Sequence, residues 1–354
     1  MTDTTAPAAS PARARLSALR PSPGLRQSLI AIALGLLASL IIIAVIADEP
    51  MAAFRAFALG SFEDVYSFGT MLSIATILAI TGLSSAIGFK AGAFNIGGEG
   101  QLYAGGLTAA VVALYMPGPG PVVMVTALVA AAVVGAAWIA IPALLRVYFG
   151  VTEIVTTLMS TYIAIDVTTY LVKAYFKDPQ SGALETPPIP QETWLPGILS
   201  PSNANYGLFL AVLLAGAMAL FLARTRLGLR LRLVGLQPSF AENVGIASDR
   251  TLLGGMLTSG ALAGLAGGVA ILGLTHNFID SFSPQFGFLG ITVALIGRLS
   301  PFGVLAAAVL YGSLMTGATS MQSVSDVPFA LVFILQGLLI LLITSQGIRR
   351  RGAM

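Results

Sequence analysis

No cysteine occurs in the 354 residues, so neither a disulfide framework nor a thiolate metal site can form. A single histidine, His276, excludes metal chemistry resting on several imidazoles. Charge is scarce too: Asp, Glu, Lys and Arg make up 9% of the chain, against about a quarter in an average soluble domain. The chain has no G-x-x-x-x-G-K-[ST] phosphate loop and no Gly-Lys pair at all, so any ATP must be handled by another chain. A nucleophile elbow, an H-E-x-x-H zinc motif and a paired-carboxylate site in a soluble domain are also missing, which leaves no enzyme active site to assign.

What fills the sequence instead is apolar: 56% of it is hydrophobic. A window of about 20 residues, long enough for a hydrocarbon core of ~30 Å, finds ten candidate spans. They run 28–47, 67–88, 95–115, 121–145, 152–172, 206–223, 251–273, 287–298, 301–318 and 328–346. The third and eighth are short, and each follows a polar interruption. A pI near 9.3 would suggest nucleic acid for a soluble protein. Here it reflects membrane topology, and no nucleic-acid partner is expected. With the N-terminus inside, 15 of the 18 basic residues fall on inner segments, and only Arg55, Lys173 and Lys177 lie outside. This positive-inside bias predicts an even number of crossings with both termini cytoplasmic.

Residues 1–27 form a basic leader rich in Pro, Ala and Ser, expected to be disordered. Residues 28–346 form the transmembrane domain, and 347–354 a basic cytoplasmic tail. "AVIADEP" after the first span is a poor signal-cleavage site. The outer loop 173–205 holds six prolines and is too long for a simple connector.

The two polar interruptions share a pattern, which is either an internal repeat or a chance match of the kind apolar sequence readily gives. Gln101, Gly106 and Thr108 recur at a constant offset of 184 as Gln285, Gly290 and Thr292. The spans carrying them run in opposite directions, so the repeat is inverted. Transporters place substrate paths between such repeats, at discontinuous helices whose backbone is unwound where it lines a cavity. "AFNIGGEGQ" and "THNFIDSFSPQ" are then the two breaks. Candidate pathway residues in and beside them are Asn95, Glu99, Gln101, Asn277 and Gln285.

An acid at a helix centre costs roughly 2.5–3.5 kcal/mol on insertion scales, so Glu99 is expected to face protein or water. It either lines the path or pairs with Lys90 and caps a helix. Asn95 and Gln101 suit polyol or nucleobase edges, or else satisfy freed backbone groups. In the fifth span Glu153, Thr157, Ser160, Ala164 and Thr168 share one helical face, which serves as a pore lining or a small-residue interface. Asp166 projects opposite that stripe, paired to another helix or snorkelling. Phe94, Phe278, Phe282 and Phe286 flank the breaks and either stack on a flat ring or pack in the core.

Four arginines within nine residues open the inner loop Ala223–Arg250, where they fix topology or contact anionic lipid. After them, Pro238 suits a helix first turn and Gly245 its end, predicting a short cytoplasmic helix over 238–246. It offers a soluble motor a grip on the membrane domain.

Four strings carry a resemblance: "FNIGGEGQLYAGG" from Phe94, "TEIVTTLMSTYIA" from Thr152, "LRLVGLQPSFAENVGI" from Leu231 and "GFLGITVALIGRLSPFGVLAAAVLYG" from Gly287. Through them the chain after its leader resembles permease subunits of ABC importers for nucleosides and simple sugars, relatives of ribose and branched-chain amino-acid permeases. The resemblance implies an all-α polytopic, vitamin-B12-type (type II) importer domain of about ten helices, in the bacterial inner membrane. It implies coupling to an ATPase through Pro238, Ser239, Ala241, Glu242 and Gly245. It also implies an ATPase chain with two nucleotide-binding domains carrying ATP and Mg, a second paralogous permease or a second copy, and an external substrate-binding lipoprotein. Thr161 stands where the family has asparagine, Glu242 and Asn243 depart from its coupling pattern, and Asp166 has no counterpart there. Nucleosides are the expected substrates, with simple sugars second; an ion-coupled secondary transporter is the alternative from another class.

Overall fold

The computed structural model describes residues 49–325 together with positions 37, 41 and 44, and residues 49–325 fall in one compact unit, Ala47–Phe329. The expected spans 28–47 and 328–346, the leader and the tail lie outside the described residues. Among residues 49–325, eleven α-helices follow one another: α1 Pro50–Leu59, α2 Val65–Lys90, α3 Gly98–Tyr115, α4 Gly120–Phe149, α5 Glu153–Leu171, α6 Gly207–Arg224, α7 Arg226–Leu236, α8 Pro238–Asn243, α9 Ser248–Ala270, α10 Phe286–Ile296 and α11 Pro301–Val324. Both α5 and α9 end in π-helical turns, Val172–Phe176 and Ile271–Thr275. No strand occurs among the described residues beyond two isolated bridges, Glu185 to Ile279 and Gly197 to Asn205.

Six of these helices, α2, α4, α5, α6, α9 and α11, are long and apolar enough to cross a membrane. The protein is thus an all-helical polytopic membrane protein. At about 1.5 Å per residue α10 rises only ~16 Å, half a hydrocarbon core. The chain reaches its start through an irregular segment in which His276, Ser281 and Gln285 all have positive φ.

Two helices form the centre. α2 packs on α9, α10 and α11, while α9 packs on α2, α3 and α4. Both are rich in Gly, Ala and Ser, which lets helix backbones meet without a driving force from water. Gly264 lies against the Ala131 carbonyl and Gly267 against the Leu102 carbonyl, where any side chain would collide with backbone. α4 and α6 turn large apolar residues outward, among them Val125, Val129, Val133, Phe209 and Leu213, as lipid-facing helices do.

Candidate functional site

The first break lies between α2 and α3. α2 ends with Gly92 in the left-handed conformation, φ 85°, and the chain then runs unwound to Gly98. Its freed amides find partners on α5 and within the break. Phe94 N donates to Glu153 Oε1 at 3.3 Å, Ile96 N to Thr157 Oγ1 at 3.2 Å and Gly97 N to Asn95 Oδ1 at 2.9 Å. Glu153 also pairs with Arg146 at 3.1 Å. The polar stripe of α5 therefore services the break: Glu153, Thr157, Ala164 and Thr168 are buried against the protein, and Ser160 is partly exposed.

Asn95 is the hub. Its Nδ2 donates to Gln101 Oε1 at 3.0 Å and to Ser259 Oγ at 2.9 Å, and Gln101 Nε2 returns a bond of 3.2 Å to Asn95 Oδ1. Ser84 Oγ donates to the Ser259 carbonyl at 2.6 Å, which ties the network to α2. Asn95, Glu99 and Gln101 are each no more than 2% exposed. Sequence reasoning missed Ser84 and Ser259, because both sit in small-residue runs that look like plain packing surface.

The two breaks meet at Glu99. Its Oε2 accepts the Gly287 amide at 2.6 Å, so an acid in the first turn of α3 caps the N-terminus of α10. A side chain on Gly287 would strike the Glu99 backbone, which fixes the contact to glycine. Glu99 makes no ion pair with Lys90. The capping half of that expectation stands, but the acid reaches the start of α10 rather than the end of α2, because α10 enters partway through the bundle.

The other second-break residues lie elsewhere. Asn277 Nδ2 donates to Glu185 Oε2 at 2.9 Å and so holds the loop 173–205. Gln285 is exposed at the N-cap of α10, unlike its repeat counterpart Gln101. His276 stacks on Trp194 with ring centroids 3.6 Å apart, and burial lowers its pKa below the ordinary 6.5. Further bonds from Thr186 N to the Phe278 carbonyl and Ile189 N to the His276 carbonyl, each 2.9 Å, fasten the loop down. Tyr103, Phe278 and Phe282 form one aromatic cluster with centroids 4.9–6.1 Å apart, and Phe94 stacks on Phe89 at 4.5 Å.

The expected short helix is present as α8, ending at Asn243 rather than 246. Pro238 occupies its first turn, and Gly245 follows it at φ 80°. Gly245 N bonds the Glu242 carbonyl and Ile246 N the Ala241 carbonyl, both at 2.9 Å, which is the Schellman closure. Pro238, Ser239, Glu242 and Gly245 are exposed, while Ala241 is fully buried. Phe240, which sequence reasoning passed over, stands 49% exposed on this helix, an apolar ring offered outward.

Residues 67–344 match the family described as "Branched-chain amino acid transport system / permease component". Guanosine ABC transporter permease protein NupP of Bacillus subtilis is 34% identical over 321 residues, 90% of this chain and 92% of its own. Nucleoside ABC transporter permease protein NupB of Lactococcus lactis subsp. cremoris is 33% identical, covering 83% of this chain and 84% of its own. Glucose ABC transporter permease protein TsgB13 of Haloferax volcanii is 33% identical, covering 85% and 82%. With its multi-pass helical bundle matched over residues 67–344 and relatives 33–34% identical along most of its length, the chain belongs to the branched-chain amino acid transport system permease family, among ABC transporter permeases.

Proposed function

We propose that this chain is the membrane subunit of an ATP-driven importer and forms one wall of a path for nucleosides. The likeness to guanosine and nucleoside permeases along 90% and 83% of the chain carries this reading. Simple sugars are the second reading, favoured by the comparable likeness to a glucose permease. The full domain has about ten spans in a type II arrangement, sits in the bacterial inner membrane with both termini cytoplasmic, and comprises residues 28–346 between a basic leader and tail. A partner ATPase with two nucleotide-binding domains holds ATP and Mg, and an external lipoprotein delivers substrate. Coupling runs through α8, at Pro238, Ser239, Glu242 and Gly245, with the buried Ala241 anchoring the helix rather than meeting the partner.

α5 supports an assembly of two permeases, a paralogue or a second copy. It is the least apolar of the six long helices and also the least buried, the reverse of what lipid contact requires. Its outward face carries Met159, Tyr162, Ile163, Asp166 and Tyr170. Asp166 has no hydrogen-bond or ion-pair partner among the described residues, and segments 28–47 and 328–346 contain no basic residue to meet it. A bare carboxylate at this depth belongs beside water or a partner subunit. The path follows this face, with Ser160 at its edge, and the second break adjoins it where Thr169 Oγ1 donates to Asp280 Oδ1 at 2.8 Å. Asn95, Glu99, Gln101, Glu153 and Thr157 hold its wall from behind.

The test is uptake of labelled guanosine, cytidine and glucose into liposomes holding the assembled importer. ATP-dependent nucleoside uptake stimulated by loaded binding protein is expected, with none from this chain alone. Glucose uptake without nucleoside uptake would favour the sugar reading, and ATP-independent uptake by this chain alone would sink both.

A further inference from the structure

α7 is amphipathic. Thr225 caps it by accepting the Gly228 amide at 2.9 Å, Leu231 and Val234 are buried beneath it, and Arg226, Arg230 and Arg232 are exposed. Between α7, the end of α6 at Phe221, the end of α2 at Ile87 and the first turns of α9 lies a cavity of about 470 Å³. Two arginines line it, Arg230 from α7 and Arg250 from α9. The remaining wall is mainly apolar, including Ile87, Phe221, Leu227 and Leu231.

The cavity has a direction. Arg250, Thr251, Gly254, Gly255 and Thr258 all line it from one face of α9. From Arg250 to Thr258 that helix rises ~12 Å. Charge therefore lies at the end of the bundle where the arginines gather, and an apolar trough leads from it along a membrane-crossing helix. A Cβ built at Gly254 meets nothing within 4 Å, so the trough is open at its middle. Asp249 does not line it; together with Glu242 and Arg146 it lines a separate cavity. A small inorganic anion would satisfy the arginines and leave the apolar length empty. A neutral lipid would fill the length and leave the arginines without a partner. One molecule matches both ends.

We propose that this groove holds an anionic phospholipid, its phosphate on Arg230 and Arg250 and one acyl chain lying along Gly254 and Thr258. Guanidinium groups bind phosphate oxygens through paired N–H donors, and basic pockets between membrane helices recognise anionic headgroups. The site is separate from the helix breaks and from the exposed face of α5.

The test is native mass spectrometry of the full chain in detergent, titrated with phosphatidylglycerol or phosphatidylcholine of identical acyl chains. Phosphatidylglycerol should be retained more tightly, by about fivefold for each arginine engaged. Arg230→Gln with Arg250→Gln should bring it down to the phosphatidylcholine level. Gly254→Leu fills the trough and should weaken both lipids several-fold; should it not fold, Thr258→Leu, at an exposed position, makes the same test. Equal retention of the two lipids in the parent chain would overturn the proposal, as would an arginine double variant with unchanged retention. Arginine-dependent binding that inorganic phosphate competes away and that trough filling leaves untouched would mean an anion site only. Loss of all bound lipid on assembly with the second permease would make the groove a protein interface, which also overturns the proposal.

Discussion

Glu99 holds two helices with one carboxylate, and its burial makes that bond hard to lose. Removing it leaves the Gly287 amide buried without an acceptor, at a cost of about 1–3 kcal/mol. Glu99→Ala should therefore lower the thermal unfolding midpoint of the purified chain, and Asn95→Leu should lower it as well, since Asn95 serves Gly97, Gln101 and Ser259 together. Unchanged midpoints would show that the breaks are not locked by these groups. His276 gives a pH-dependent prediction. Burial against Trp194 favours the neutral imidazole, so the folded chain binds fewer protons there than the unfolded one. Stability is then full above the ordinary pKa of 6.5 and is lost as pH falls through it toward the lower folded value. Thermal midpoints measured from about pH 7.5 down to 5 should decline, and His276→Phe, which keeps a stacked ring, should flatten the decline. An identical slope in parent and variant would assign the dependence to another group.

At the scale of elements, α8 divides into an anchored side and an offered side. Ala241 is fully buried, so an arginine there would disturb the loop's own packing and say little about a partner. Phe240 is the better probe because its ring is already half exposed. Phe240→Asp should reduce co-purification of the ATPase several-fold while leaving the thermal midpoint of the membrane domain unchanged; undiminished co-purification would place the grip elsewhere. The loop 173–205 behaves as a fixed platform. Its backbone bonds to the segment after α9, and the Trp194–His276 stack, hold it against the bundle.

For the whole molecule, the exposed face of α5 is the decisive surface. If it lines a path between two permeases, Asp166→Leu should cut substrate uptake several-fold while the assembled importer keeps its thermal stability. If the face met lipid instead, the same change would relieve a charge worth roughly 2.5–3.5 kcal/mol, raise stability and leave uptake intact. Uptake and thermal unfolding of the same reconstituted preparation separate the two outcomes.

The sequence alone determined the membrane location, eight apolar segments that fall on helices within the described residues, six of them long and apolar enough to cross, and the short helix with its glycine stop. Each depends on local composition or on backbone preferences a few residues apart. It also located both breaks, because polar residues in a long apolar run stand out whatever packs around them. Only the tertiary structure decided what those residues touch. Glu99 and Gly287 lie 188 positions apart, and Asn95 and Ser259 lie 164 apart. Their meeting depends on how glycine- and serine-rich helices approach one another, and such helices are apolar all round, with no periodic stripe to reveal which side faces which. For the same reason residues matched in sequence parted in the structure: Gln101 was drawn into a buried network and Gln285 was left exposed, because a sequence match does not carry the neighbours met on the way.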